Sequence, residues 1–390
     1  MVTRSILRPV LRPMPLLLMD DDGPSPAFSA NFMSGVLPAG LTYTNSSTTR
    51  TYFGSDGLLK TAAANEAIFE YDLVTRVLLG MRWEMEQRTN LALWNRDLTN
   101  AAWTSTNGTA AKNQAGIDGV ANSASSFTAT AGNATCLQSI TSASAARVTS
   151  FFLKRITGTG TVNITQDNGT TWTAATLTSA WQRFQVTDTR ANPVIGVRVV
   201  TSGDAVAVDY VQHESGATAA SSPIPTTTAA VTRQPDVLTA TSISPWYRKD
   251  EGTVLFEGIQ TDATITRGMY CFSDGTSSNR AFTSINAGAG ASQSWLVTAG
   301  SVEWTSSNLV MPAISSRFRH AYTYKLNDLA AVVNGGTVAT DNTATMATLT
   351  QIRFGGITAV GANPFMGYAR RFQYFNTRLP DAQIQGMSRV

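Results

Sequence analysis

Residues 147–154 read Arg-Val-Thr-Ser-Phe-Phe-Leu-Lys (RVTSFFLK). Side chains alternate faces along a strand, so Val148, Ser150 and Phe152 share one side and Thr149, Phe151 and Leu153 the other. Both sides carry apolar bulk. The stretch therefore reads as a strand buried on both faces, or one that sits at an interface. The sequence around it keeps the same period. Val162 and Ile164 alternate with Asn163 and Thr165, and Trp181–Val186 (WQRFQV) alternates again. Residues 194–200 and 206–211 are two more apolar runs, split by Gly203-Asp204. Asn168-Gly169 is a hairpin turn, because both residues accept positive φ. Short alternating runs separated by turn residues indicate a β-sandwich.

The composition agrees. Charged residues make up 14% of the 390, against about 25% in an ordinary globular chain. Of the 29 basic residues 24 are Arg and 5 are Lys. A formal net charge of +3 is too small to imply nucleic-acid binding. No apolar run reaches the roughly 18 residues of a membrane span, so no membrane insertion is expected. Cys136 and Cys271 lie far apart in different strands and read as free thiols.

The length calls for more than one domain. Residues 1–24 combine Arg4, Arg8 and Arg12 with Leu16-Leu17-Leu18 and several prolines. Prolines exclude a continuous helix, so this part reads as an extended anchoring arm. Residues 25–85 form an irregular β-rich unit with Phe28, Phe32, Leu41, Tyr43 and Phe53 as apolar material. The unit is too small to bury them alone, which predicts packing on a neighbour or a symmetry mate, and hence a homo-oligomer, most simply a trimer. The first sandwich spans 86–233, residues 234–251 are a linker with Pro235 and Pro245, and a second sandwich occupies 252–390. The fold class is thus all-β: two tandem jelly-roll sandwiches behind an irregular N-terminal region and an arm.

Two segments carry a family resemblance. Residues 56–72 read DGLLKTAAANEAIFEYD and residues 86–103 read EQRTNLALWNRDLTNAAW. In this order they resemble the opening segment of bacteriophage tail-fibre, tail-spike and head-fibre proteins that carry carbohydrate-binding-module-like β-sandwiches. Residues 211–216 (VQHESG) and 221–227 (SSPIPTT) resemble the closing segment of the same modules, where QLE is commoner and His213 is a departure. Residues 319–335, 352–356 and 365–374, with Leu379-Pro380-Asp381-Ala382-Gln383-Ile384, resemble the central strands, closing strands and terminal helix of laminin-G/concanavalin-A-like jelly rolls. The resemblance implies a non-enzymatic component on the surface of a virion, with other virion proteins as partners through the arm and host cell-surface polysaccharide as a possible ligand. A polysaccharide-degrading tailspike and a capsid cement protein are the alternatives.

His213 and His320 are the two histidines. Each lies in a strand-like run, and the chain has no G-x-S-x-G elbow for a nucleophile. Glycoside hydrolysis needs two carboxylates flanking a cleft. Glu251, Glu257 and Glu303 are the glutamates of the second sandwich and are widely spaced. The acids Asp262, Asp274 and Asp341 are scattered, which argues against a calcium loop. Hence neither catalysis, a metal nor a cofactor is expected. Sugar binding needs an exposed aromatic face beside polar groups. Trp295, Trp304, Tyr322 and Tyr324 offer rings in the second sandwich, and Trp172 and Trp181 in the first. Trp304 leads, because it lies in the polar run 301–308 with Asn308 to take sugar hydroxyls, and Trp295 follows.

Overall fold

The computed structural model describes residues 24–288 and 290–390. The expected arm residues Arg4, Arg8, Arg12, Leu16, Leu17 and Leu18 lie outside this range. The described chain is all-β, with one short helix, Asp381–Met387. Every ladder between its strands is antiparallel.

RVTSFFLK lies in an interior strand of the first sandwich. Ala145–Thr157 runs between Gln182–Arg190 and Ala205–Ser215. Phe151 and Leu153 enter the sandwich core with Phe127, Ile164, Val197 and Val206. Phe152, on the opposite face, packs with Leu59, Ile117 and Tyr210. Leu59 belongs to the hairpin Thr51–Phe53/Leu59–Thr61, which lies against the outside of this sheet. Both faces are therefore buried, one in a core and one at an intramolecular joint. The facing sheet carries Thr173–Ala175, Val162–Thr165, Val194–Val199, Ala134–Ser139 and Thr104–Thr106 in that order. Asn168 and Gly169 have φ of 61° and 75°, as a turn of this hairpin requires.

The domain boundaries differ from those expected. The segment 25–85 is not a separate unit; Phe28–Asn31, Thr42–Thr44, Phe69–Tyr71 and Leu78–Glu84 complete the C-terminal sandwich, while the hairpin Thr51–Phe53/Leu59–Thr61 lies on the first sandwich. One eight-stranded sheet runs from Ala339–Asp341 through Asp328–Val333, Arg317–Lys325, Glu251–Gln260 and Met366–Phe375 to Leu78–Glu84 and Phe69–Tyr71, with Phe28–Asn31 also on Met366–Phe375. The other runs from Thr42–Thr44 through Val237–Ala240, Gln351–Phe354, Arg267–Ser273, Arg280–Ile285 and Ala291–Thr298 to Ser301–Thr305, with Leu309–Val310 on Ala291–Thr298. Phe32, Leu41, Tyr43, Met81 and Trp83 share a core with Phe256, Phe354 and Phe372. The chain itself thus supplies the surface that these apolar residues need, and the reason for expecting a trimer disappears. The expected linker 234–251 also contributes a strand, Val237–Ala240, paired between Thr42–Thr44 and Gln351–Phe354.

The first sandwich is accordingly an insertion. The chain leaves the larger sandwich through Arg88–Asn90 and returns through Val231–Arg233, and these two strands pair. Charged groups lock the joint. Glu84 accepts the Ser222 amide at 2.6 Å and hydroxyl at 2.7 Å, while Arg82 and Arg233 hold it as ion partners. Asp262 pairs with both Arg88 and Arg267. Buried charges cost several kcal/mol each unless paired and hydrogen-bonded, so the arginine-rich composition finds its use here.

Candidate functional site

Alternation along the strands sorts the aromatic residues of the C-terminal sandwich into two sets. Tyr270, Phe272, Leu296, Trp304, Ile352 and Phe354 point into the core. Cys271, Phe282, Trp295 and Val297 form a second cluster on the outer face of the same sheet, with Ile357 packed on it. The register fixes this division. Leu296 pairs with Trp304 and Trp295 with Thr305, so the two tryptophans lie on opposite faces.

Trp304 is therefore corrected from sugar platform to core residue. Its ring is 5% exposed and stacks on Tyr322 at 5.9 Å. The polar run 301–308 is compatible with a loop or an edge strand, and residues Ser301–Thr305 are an edge strand whose single large inward side chain is Trp304. Tyr322 and Tyr324 are core residues too.

Trp295 keeps its candidacy. It is half-buried and lies parallel to Phe282, with centroids 5.7 Å apart and planes 6° apart. Gln293, two residues earlier on the same strand, presents to the same face. Its Nε2 donates to the Ser306 carbonyl at 3.2 Å, and its Oε1 accepts from Asn286 Nδ2 at 3.2 Å. Asn286 Nδ2 also reaches Asn308 Oδ1 at 3.3 Å. Asn308 thus joins Trp295 through two amides that the sequence reading did not single out. Gln293 could have been found, since it is one strand period from Trp295; Asn286 could not, since its approach depends on the hairpin between two strands. The result is a strip with a ring whose apolar surface is backed by Phe282 and edged by amides already oriented by one another. Planar amides offer both donors and acceptors, which suits vicinal hydroxyls.

The rings of the inserted sandwich are less available. The Arg198 guanidinium lies 4.4 Å from the Trp172 centroid, and the Lys154 ammonium 4.7 Å from that of Trp181.

A cleft of about 200 Å³ opens between the two sandwiches, with Glu70, Arg82, Glu84, Arg183 and Tyr368 along it. Its carboxylates are committed. Glu70 accepts from the Phe53 amide, Arg82 and the Tyr368 hydroxyl at 2.8–3.0 Å. Against the cost of burial, Arg233, Arg82 and Ser222 lower the pKa of Glu84 to about 2. A carboxyl so held stays ionised and gives no general acid. Glu257 is ringed by Arg317, Arg319 and Arg370, Glu303 accepts the Thr345 amide, and Glu251 accepts the Arg378 amide.

The histidines are interior. Burial lowers both pKa values to about 3, helped at His213 by the Arg147 charge. His213 Nδ1 lies 2.7 Å from Thr149 Oγ1, and His320 Nε2 lies 3.1 Å from Ser294 Oγ. Cys136 and Cys271 are free and buried. Asp274 and Asp341 bond to backbone amides of their own turns, and Asp262 is held by arginines. Among the described residues no three His, Cys, Asp or Glu converge as a metal site.

No family model matches the chain, and no curated protein matches it. Solved structures do show similarity. The CBM40 of the Ruminococcus gnavus IT-sialidase, bound to alpha2,3 sialyllactose, aligns with 36% of this chain and 83% of its own at 17% identity and a TM-score of 0.33. A leech intramolecular trans-sialidase aligns with 36% of this chain and 24% of its own at 15% identity and a TM-score of 0.33. A heptameric SAP-like pentraxin from Limulus polyphemus aligns with 35% of this chain and 68% of its own at 13% identity and a TM-score of 0.28.

Proposed function

We propose that this chain is a structural component of a bacteriophage virion, a fibre, spike or decoration subunit that contacts host-surface glycans through the outer face of its C-terminal sandwich. The observation that carries the glycan part is the half-exposed Trp295 ring, backed by Phe282 and edged by Gln293, Asn286 and Asn308. A sugar presents a C–H face to such a ring and hydroxyls to such amides.

The virion part is supported by the ordered motifs at 56–72 and 86–103. Their polar residues have structural roles that a module joint needs. Asn90 donates to the carbonyls of Val211 and Ile224, Asn95 bonds Ile224 and Thr226, and Arg96 forks onto Asp209. In this reading the motif marks where one sandwich is set into another. In this reading the subunit is a binder and not a catalyst, since the two glutamates of the cleft, Glu70 and Glu84, are held by fixed donors. Residues 1–24 would attach it to other virion proteins.

A glycan array with the full chain and Trp295→Ala tests the binding. Antibody labelling of phage particles under the electron microscope tests the location. Labelled particles with no glycan bound would favour a capsid-stabilising cement role. Unlabelled particles would remove the virion reading.

A further inference from the structure

We infer that the glycan taken by this outer face is acidic, its anionic group held by the guanidiniums of Arg280 and Arg353 beside the Phe282–Trp295 stack. The inference rests on the glycan-binding reading above and narrows its ligand class.

The positions follow from the register. Arg353 pairs with Cys271, Cys271 with Phe282, and Phe282 with Trp295. This is one cross-strand row, with neighbours about 4.8 Å apart. Arg280 precedes Phe282 by two residues and so shares its face. Its guanidinium sits 4.7 Å from the Phe282 centroid, and its Nη1 donates to the Ile357 carbonyl at 2.8 Å. Both guanidiniums act on the Cys271 thiol, which burial pushes up to about 12 against their opposing pull. Two cations therefore flank one end of the aromatic stack.

Their environment is unlike that of the arginines at the module joint. Arg82, Arg88, Arg233 and Arg267 all pair with carboxylates. Among the described residues Arg280 and Arg353 have no carboxylate oxygen within 4.0 Å. Asp274 and Glu303, in the flanking segments, are engaged by Thr276 and Asn279 and by the Thr345 amide. The buried Nε atoms of both arginines, and Nε1 of Trp295, have no acceptor; the Nε atoms of Arg88, Arg233 and Arg267 share this, so the difference lies in the missing carboxylates. Among the described residues Arg353 Nη1 and Nη2 and Arg280 Nη2 donate no hydrogen bond, and the Arg353 guanidinium lies against Gly361.

A face with several donors, two positive charges and no matching acceptor is complementary to an anion. Guanidinium pairs bidentately with carboxylate, sulfate or phosphate, and such charge-assisted bonds are about twice as strong as neutral ones. A sugar ring on Trp295 would bring a substituent of this kind toward the row at Phe282 and Cys271. All three anions share the required chemistry, and the test separates them.

Calorimetry with the full chain compares an oligogalacturonate, its carboxyl-reduced neutral counterpart, and sulfated and phosphorylated versions of that neutral oligosaccharide. The expected result is at least tenfold tighter binding of one or more acidic forms than of the neutral one. Arg280→Gln with Arg353→Gln should abolish that preference and leave neutral binding unchanged, while Trp295→Ala should weaken both. Arg280→Lys with Arg353→Lys, which keeps the charge, should retain part of the preference and serves as the folding control, with circular dichroism. Equal affinity for acidic and neutral forms would overturn this inference and leave the glycan reading standing. No binding of any form would remove both.

Discussion

The hydroxyls of Thr89 and Thr232 lie 2.8 Å apart although 143 positions separate them in the chain. They face each other in the small ladder through which the chain leaves the larger sandwich and comes back to it. The pair identifies residues 91–230 as an insertion, and it makes the larger sandwich a discontinuous domain.

Deletion should follow that geometry. Asn90 and Val231 are register partners, so a short turn can replace everything between them. The joined protein, residues 24–90 linked to 231–390, should fold cooperatively with a lowered thermal midpoint, because Glu84 loses Ser222. Residues 234–390 alone should not fold, since they lack Phe32, Met81 and Trp83 from the core. Circular dichroism and thermal melting of the two fragments check this; a cooperative transition in the second would refute the shared core.

Asp236→Ala should be among the most damaging single changes. The carboxylate accepts from Tyr43 Oη at 2.5 Å, Asn45 Nδ2 at 2.7 Å and the Glu84 amide at 2.8 Å. Removing it strands three buried donors and leaves Arg50, 4.0 Å away, with less compensation. The expected loss is about 3–5 kcal/mol, read from the urea midpoint. A loss under about 1 kcal/mol would mean that water replaces the carboxylate freely.

The two tryptophans of neighbouring strands should separate stability from binding. Trp304→Ala empties a core position and should cost about 3–5 kcal/mol. Trp295→Ala removes a ring stacked on one side only and should cost about 1–2 kcal/mol. By analogy with aromatic stacking on bases, about 1–3 kcal/mol per ring, Trp295→Ala should weaken glycan binding about tenfold. Parallel denaturation and calorimetry would expose a reversed pattern at once.

Acid should destabilise the fold before its carboxylates protonate. His213 and His320 have native pKa values lowered to about 3, against an unfolded value of about 6.5. Below that value the unfolded chain takes up protons that the native state refuses, so stability falls as pH drops from about 6.5 toward 3. Each histidine contributes a slope of up to about 1.4 kcal/mol per pH unit. Glu84, also lowered, adds its own loss only below about 4.5. Denaturation midpoints at pH 7, 6 and 5 should therefore fall, and His320→Gln should flatten the slope. A midpoint constant from pH 7 to 5 would show that the rings are not buried neutral.

Some of this was legible in single segments. RVTSFFLK announced a strand with two buried faces and Asn168-Gly169 a turn, because side-chain period and turn chemistry are local properties. Free cysteines and interior histidines followed from their isolation in strand-like runs.

Other features depended on which strand lies beside which. Residues 25–85 looked incomplete, and the sequence offered a symmetry mate as readily as a partner some 300 residues downstream. Only the pairing of Leu78–Glu84 with Met366–Phe375 decides between them, since a ladder is specified by backbone groups that are alike in every segment. The face of Trp304 likewise turns on one register shift between Leu296 and Val297, and a slip by one residue moves a side chain from core to surface. The sequence by itself determined strands, turns and the stock of aromatic and arginine side chains. The tertiary structure alone decided that Trp295 rather than Trp304 faces outward, and that Arg280, Arg353, Asn286 and Asn308 gather on its face, because their proximity is created by cross-strand pairing and not by spacing along the chain.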